Sequence, residues 1–211
     1  MPPPCEQELC TANPSEGTHV IGIMLDGLKK VAVHAHLLAH HSMCFRELNN
    51  QASREYFCVD FCPYATDQTV CFFVRWIYGR SLGPYNLNEG LRKLCRGEQY
   101  ETLIRSLLFG EKIEATEFQR DIMRCITEDI DCVDLAVSVD IWIDIEVMAP
   151  SSRLRPFLVD MCCAKLRGND ADRVDVFLKD LPRSMLEDIS QRMITGPCRP
   201  RMDMDFSKYL K

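Results

Sequence analysis

VAVHAHLLAHHSMCFRELNN, residues 31–50, is the stretch that decides the fold of this chain. It opens with an apolar run around Ala32 that is typical of a strand, and its later apolar residues recur at helical spacing. Ser42 lies in the middle of the helical part, where a hydroxyl can cap a new helix and end the previous one. Asn49 and Asn50 tolerate the left-handed geometry that ends a helix. The stretch therefore predicts a strand, a short helix, a second short helix capped by Ser42, and a turn.

The segments on either side predict the rest of a small sheet. Before the deciding stretch, VIGIML and KKVAV flank Asp26-Gly27. Asp-Gly between two apolar runs is a strong signal for a tight turn, because glycine adopts positive φ without steric cost. Both strands of this hairpin are apolar on both faces near their centres, so we expect a sheet that is covered on each side. YFCVDF at 56–61 alternates and is rich in β-forming residues, which predicts a third strand.

The densest aromatic segment of the chain follows the third strand. Thr66 can cap a helix that covers about residues 67–78. Phe73 lies on the apolar stripe of this helix and Trp76 lies on the neighbouring face. We expect the helix to end before a turn at Gly79-Arg80.

Two further helices are predicted after a loop at 83–90. The first covers residues 98–109 and is expected to end at Gly110. The second opens with a capping box, Thr116-x-x-Gln119. One face of that second helix collects the apolar side chains of Phe118, Ile122, Cys125 and Ile126.

The C-terminal third predicts an all-helical extension. The apolar residues within 135–147 alternate as they would in a strand, but several of them would also share one face of a helix. We interpret the segment as a helix. Further helices are expected over 153–167 and 182–195, the second with proline at its first position. A short helix is expected over 171–179. The charged segment from Pro200 is expected to be loose.

The order of these features resembles the BTB/POZ family, in particular its fungal branch. In that family a hairpin, two short helices, a third strand and a long aromatic helix follow one another in this order. The resemblance rests on a strand ending in Val-His, on Leu-Leu-Ala, on Ser-x-x-Phe and on an aromatic helix ending in Tyr. The positions that match the pattern are Val33, His34, Leu37, Leu38, Ala39, Ser42, Phe45, Phe73, Trp76 and Tyr78.

The resemblance implies an α+β fold and a division of the chain into four parts. Residues 18–130 would form the BTB/POZ domain, a small mixed sheet flanked by a cluster of short helices. Residues 131–199 would form the all-α extension. Residues 1–17 carry three consecutive prolines and no periodicity, which predicts a disordered lead-in. Residues 200–211 are interpreted as a flexible tail.

The same resemblance implies a non-enzymatic function in protein–protein interaction. It implies homodimerisation through the hairpin and the first two helices, and recruitment of other proteins. The candidate interface residues are Leu37, Leu38 and Phe45, and the candidate structural signature residues are His34, Ser42, Phe73, Trp76 and Tyr78. An alternative is a substrate adaptor that binds a cullin scaffold of a ubiquitin ligase. In that alternative the helical extension would hold the client, because 211 residues leave no room for a separate recognition domain.

Composition and local sequence argue against several other classes of protein. A net charge of −6 argues against nucleic-acid binding, which requires a basic face. No apolar run is long enough to span a membrane, and MPPPCEQELC at the N-terminus does not resemble a secretory signal. Twelve cysteines in a chain with an ample core are interpreted as reduced thiols that pack as small hydrophobes. The expected compartment is therefore the cytoplasm or the nucleus.

The histidines beside Cys44 are the one cluster of metal-ligand residue types in the sequence. Its members are His34, His36, His40, His41 and Cys44. Tetrahedral zinc requires four converging ligands, and Ser42 breaks the helix between these residues. We therefore interpret His34 as buried and the other histidines as solvated, and we predict no metal, no cofactor and no catalytic residue. A thiol- or metal-dependent enzyme using Cys44 and the histidines is the alternative from a different class.

Overall fold

The chain folds as a small sheet combined with several helices. The computed structural model describes residues 20–25, 29–51, 56–58, 64–82, 96–128, 146, 152, 154–168, 178–179, 181–195 and 209–210. Within these ranges the elements, in chain order, are β1 (Val20–Leu25), β2 (Lys29–His34), α1 (Ala35–His41), α2 (Met43–Gln51), β3 (Tyr56–Cys58), α3 (Asp67–Leu82), α4 (Arg96–Lys112), α5 (Thr116–Glu128), α6 (Arg155–Gly168) and α7 (Arg183–Thr195). This content is compatible with the α+β class that the sequence predicts.

Several sequence predictions lie outside the described residues. They include the lead-in over 1–17, the Asp26-Gly27 turn and the loop at 83–90. The helix predicted over 135–147 is described only at Glu146, and the short helix over 171–179 only at its last two residues.

The sheet has the order β2-β1-β3, with β1 antiparallel to β2 and parallel to β3. Ile21 lies opposite Val33 in the hairpin, and both are buried together with Ile23. On the opposite face Val20 is 47% exposed and Ala32 is exposed, whereas Met24 and His34 are half-buried. Successive side chains of a strand point to opposite faces. The predicted cover is therefore complete on the face of Ile21 and partial on the other.

The caps predicted at Ser42 and Thr66 are confirmed. The Ser42 hydroxyl accepts the N–H of Phe45 at 3.2 Å, and the Thr66 hydroxyl accepts the N–H of Thr69 at 3.2 Å. In each case the side chain satisfies a backbone donor in the first turn of the helix that follows. The short-range hydroxyl signals thus placed the starts of α2 and α3 correctly.

The ends predicted at glycines were wrong. α3 continues through Gly79 to Leu82, and α4 continues through Gly110 to Lys112. A glycine inside a helix costs about 1 kcal/mol relative to alanine, which does not stop a helix that packing supports. The left-handed residue that ends α4 is Glu114, with φ of 55°. Its N–H donates to Glu111 O at 3.1 Å and the next N–H, of Ala115, donates to Gly110 O at 2.8 Å, a Schellman arrangement.

Gly110 instead allows α4 and α5 to approach each other closely. A Cβ at this position would lie 2.9 Å from Gln119 Cγ and 3.1 Å from Phe118 Cδ1. The predicted capping box of α5 was also wrong: α5 begins at Thr116, so Ala115 is the cap residue, and its backbone carbonyl accepts the N–H of Gln119 at 3.1 Å. The Gln119 side chain donates to Gly110 O at 3.1 Å. Glycine and glutamine therefore join the two helices at their shared corner.

The extension consists of α6 packed against α7 in the described residues. Phe157, Cys163, Met185 and Ile189 are buried between or beside them. Both helices begin within two residues of the predicted starts. The proline expected at the first position of α7 instead precedes it, and its carbonyl accepts the N–H groups of Met185 and Leu186.

The tail predicted to be loose is wrong at its described residues. Tyr209 is 5% exposed and Leu210 is half-buried against the core. The ring of Tyr209 packs edge-on against Phe157, with ring centroids 5.4 Å apart. An aromatic side chain with this apolar contact and a hydrogen-bond partner for its hydroxyl is stable in a buried position.

Among the described helices, none has the length and apolar character required to cross a membrane.

Candidate functional site

Ser42 joins the first helix pair to the corner between α4 and α5. Its side chain is 1% exposed and donates to the carbonyl of Ile113 at 2.5 Å. The same oxygen accepts the N–H of Phe45, so the hydroxyl both caps α2 and fixes α2 against the later helices. The N–H of Met43 approaches Glu114 O at 3.5 Å on the same corner. A residue identified from its local capping role thus also makes a long-range contact.

His34 and Tyr78 connect the sheet to the aromatic helix. The Tyr78 hydroxyl accepts the backbone N–H of His34 at 3.2 Å and lies 2.7 Å from His34 Nδ1. Because the Tyr78 oxygen accepts the amide N–H, the hydroxyl proton is available for a hydrogen bond to Nδ1. Their rings meet edge to face with centroids 5.8 Å apart. His34 and Tyr78, two residues of the predicted signature, are therefore in direct contact.

Phe73 and Trp76 form the centre of a buried aromatic cluster. Their rings are stacked with centroids 6.0 Å apart. Phe118 contacts both of them, at 5.0 Å from Phe73 and 5.1 Å from Trp76. The indole N–H of Trp76 donates to Asp121 Oδ2 at 3.0 Å. This cluster holds α3 against α5.

The three residues predicted to form a dimer interface are buried within the single chain. Leu38 and Phe45 are fully buried and Leu37 is 6% exposed. The ring of Phe45 stacks on Phe73 at a centroid distance of 6.4 Å. In the single chain, the apolar spacing that suggested a contact surface is therefore the spacing of the core.

Other apolar side chains on the hairpin and the first helix pair do reach the surface. Val20 on β1 is 47% exposed and Met43 on α2 is 48% exposed. Both lie on the hairpin and helix pair to which the resemblance assigns self-association. The sequence did not single them out, because exposure depends on which face of each element the remaining chain covers.

The histidine cluster is arranged differently from the prediction. His34 is half-buried, whereas the side chain of His41 is 7% exposed and its ring lies edge-on to Trp76 at 4.9 Å. Nδ1 of His41 lies 3.9 Å from the Glu117 carboxylate. Burial, together with the neighbouring His34 and His40, lowers the pKa of His36. Among the described residues, no group of three histidine, cysteine, aspartate or glutamate side chains could hold a metal ion.

Cys44 has the environment of a packed thiol. It is half-buried, and burial raises its pKa, with further increases from the carboxylates of Glu114 and Glu47. A raised pKa reduces the thiolate fraction, which disfavours a nucleophilic role. Cys162 and Cys163 are buried in α6, and burial raises the pKa of Cys162 as well. The described cysteines at 44, 71, 125, 162 and 163 are free thiols.

The extension contains a polar network around Arg155. Its guanidinium donates to Asp188 at 2.8 Å, to Glu146 at 3.2 Å and to the Ser184 hydroxyl at 2.9 Å. Ser184 donates in turn to Glu146. A second serine, Ser152, donates to the carboxylate of Glu111 in α4 and so links the extension to the preceding helices.

A second network centres on Asp160 of α6. This carboxylate is 7% exposed and accepts two donors of the Arg192 guanidinium, one of them at 2.7 Å to Oδ2. The Tyr209 hydroxyl donates to the same Oδ2 at 2.7 Å. The sequence gives no sign of this network. Asp160 and Arg192 lie 32 residues apart, so no local pattern pairs them.

Comparison of the chain with protein-family models, with curated proteins and with solved structures finds no match.

Proposed function

We propose that this chain is a BTB/POZ-type interaction module that associates with itself and recruits other proteins. The proposal is supported by the order of the described elements: hairpin, two short helices, third strand and long aromatic helix. That order is the one expected from the resemblance in the sequence. A parallel β3 beside the β1–β2 hairpin completes the small mixed sheet.

The observation that carries the proposal is that the signature residues contact one another or the same corner of the fold. His34 bonds to Tyr78, and Ser42 bonds to the corner that follows α4. Phe73 and Trp76 stack between α3 and α5. Residues matched by resemblance at scattered sequence positions are therefore joined in one structural unit, which supports the proposed module.

Self-association through the hairpin and first helix pair requires side chains at the surface there. Val20 and Met43 meet this requirement, and they replace the buried Leu37, Leu38 and Phe45 as interface candidates. A stable dimer buries roughly 1,200–2,000 Å² in total. One exposed side chain supplies only a small part of that area, so a substitution there tests the larger surface around it. A charge placed at the centre of such a surface is costly, because it loses water without gaining a partner.

The experiment is analytical ultracentrifugation of the full chain at micromolar concentration. The wild type is expected to sediment as a dimer. Met43→Glu is expected to raise the dissociation constant of this dimer at least tenfold. Met193→Glu is the matched control, since Met193 is also exposed, at 39%, but lies on α7 of the extension. It is expected to leave the dimer unchanged.

Two results would overturn the proposed self-association. One is a wild type that remains monomeric over the whole concentration range. The other is equal weakening by Met43→Glu and Met193→Glu, which would place the contact elsewhere. Circular dichroism on each variant separates loss of dimer from loss of fold.

A further inference from the structure

His36 lies in the first turn of α1, where an added positive charge is unfavourable. The helix begins at Ala35, its cap residue His34 makes no side-chain capping bond, and its first turn contains no acidic residue. The N-terminal end of a helix carries a partial positive charge that repels a cation. The imidazolium form of His36 is therefore opposed by the field of its own helix.

The buried ring nitrogen of His36 opposes the cation for a second reason. Although the residue is partly exposed, its Nδ1 is buried and has no hydrogen-bond partner among the described residues. A neutral imidazole can carry its proton on Nε2 and leave Nδ1 bare, whereas the imidazolium carries an N–H at both nitrogens. A buried N–H without an acceptor is costly. Protonation therefore requires the ring to turn toward water.

Two neighbouring imidazoles add to this effect. The ring of His34, at the end of β2, lies with its centroid 5.8 Å from that of His36. His40 follows His36 by one helical turn, which places the two side chains on the same face of α1. Burial, followed by the charges of His34 and His40, lowers the pKa of His36 below its ordinary value of 6.5.

The charged groups of the helices packed on α1 act at its other end. Arg46 of α2 donates to the carbonyl of Ala39 at 3.0 Å. Glu117 of α5 lies 3.9 Å from Nδ1 of His41. A carboxylate is thus placed beside the last histidine of α1, whereas the groups whose charge acts on His36 are themselves histidines.

Movement of the His36 ring affects the joint between β2 and α1. Its neighbours Ala35 and Leu37 are buried in the core. His34 is bound through its backbone and its ring to the hydroxyl of Tyr78 on α3. Because the residues on both sides are fixed, the ring cannot turn outward unless the first turn of α1 loosens.

We propose that His36 is an acid-sensitive switch, whose protonation opens the first turn of α1 and weakens self-association of the chain. At neutral pH the imidazole is uncharged and the joint is closed. The effect on self-association rests on the proposed function, because β2 and α1 belong to the hairpin and helix pair to which the dimer contact is assigned.

Hydrogen exchange of the full chain at pH 7 and pH 5, expressed as protection factors, tests the opening. Protection of the amides at 36–39 is expected to fall roughly tenfold at pH 5, while the amides of α7 keep theirs. His36→Gln is expected to abolish this fall. His40→Gln is the matched control: it removes a neighbouring imidazole, so it is expected to move the midpoint of opening to higher pH.

Three results would overturn the switch. They are unchanged protection of α1 in the wild type, the same fall in His36→Gln as in the wild type, and a midpoint that moves to lower pH in His40→Gln. Titration of the His36 ring by nuclear magnetic resonance in the wild type keeps the test independent of whether the variants fold. A midpoint at or above 6.5 would also overturn the proposal.

Sedimentation at the same two pH values tests the link to self-association. The dissociation constant of the wild-type dimer is expected to be roughly tenfold higher at pH 5, and that of His36→Gln is expected to stay constant. A dimer whose affinity does not change while α1 opens overturns the link alone. A wild type that is monomeric at pH 7 overturns the proposed self-association and the link with it, and the exchange data then decide the switch.

Discussion

Removing the hydroxyl of Ser42 is expected to cost the chain about 2–3 kcal/mol of its free energy of unfolding. Loss of the cap at Phe45 N–H accounts for about 1 kcal/mol. Loss of the donor to Ile113 O, in a fully buried residue, adds about 1–3 kcal/mol. The two losses involve one atom and are not fully additive. Alanine fits the site sterically, so Ser42→Ala isolates these bonds.

The measurement is urea unfolding of Ser42→Ala followed by far-ultraviolet circular dichroism. Thr66→Ala is the matched control, because Thr66 caps α3 with the same geometry and is expected to cost about 1 kcal/mol. The difference between the two variants reports the long-range bond to Ile113. If Ser42→Ala is no more destabilising than Thr66→Ala, the described joint between α2 and the α4–α5 corner is refuted.

Three further predictions concern single positions. Gly110→Ala is expected to lower stability by up to about 2 kcal/mol, because overpacking against Gln119, about 1–3 kcal/mol, outweighs the roughly 1 kcal/mol gained from alanine in a helix; a rise in the thermal midpoint would show that the helices are farther apart. Tyr78→Phe is expected to cost about 0.5–1.5 kcal/mol by removing the bond to His34, and unchanged urea unfolding would contradict that contact. His36 has a folded pKa below its unfolded value of 6.5, so its contribution to stability is present above pH 6.5 and is lost as the pH falls toward the folded pKa. His36→Gln is expected to flatten the decline of stability between pH 7 and pH 5, and an identical decline in both proteins would refute the assignment.

The sequence predicted those features that depend on a few neighbouring residues. The hydroxyls of Ser42 and Thr66 mark helix starts because a cap acts within three residues. The antiparallel hairpin follows in the same way from two apolar runs around Asp26-Gly27. Element types and order were accessible for this reason.

Features that depend on a distant partner could not be predicted. Gly110 signals a helix end locally, but its observed role is set by Gln119 and Phe118 of the next helix. Leu37 has the spacing expected of either a core or an interface, and only the position of the remaining elements distinguishes them. The contact between Asp160 and Tyr209 joins residues 49 apart and has no counterpart in local spacing.

The bond between Ser42 and Ile113 also sets an order of events during synthesis. Its two ends are separated by 71 residues, and chains emerge from the ribosome from the N-terminus at about 5–20 residues per second. The α1–α2 pair is therefore exposed for several seconds before the α4–α5 corner is available. During that interval the apolar side chains of Leu38 and Phe45 are not yet covered by α4 and α5. This exposure makes the nascent chain prone to aggregation.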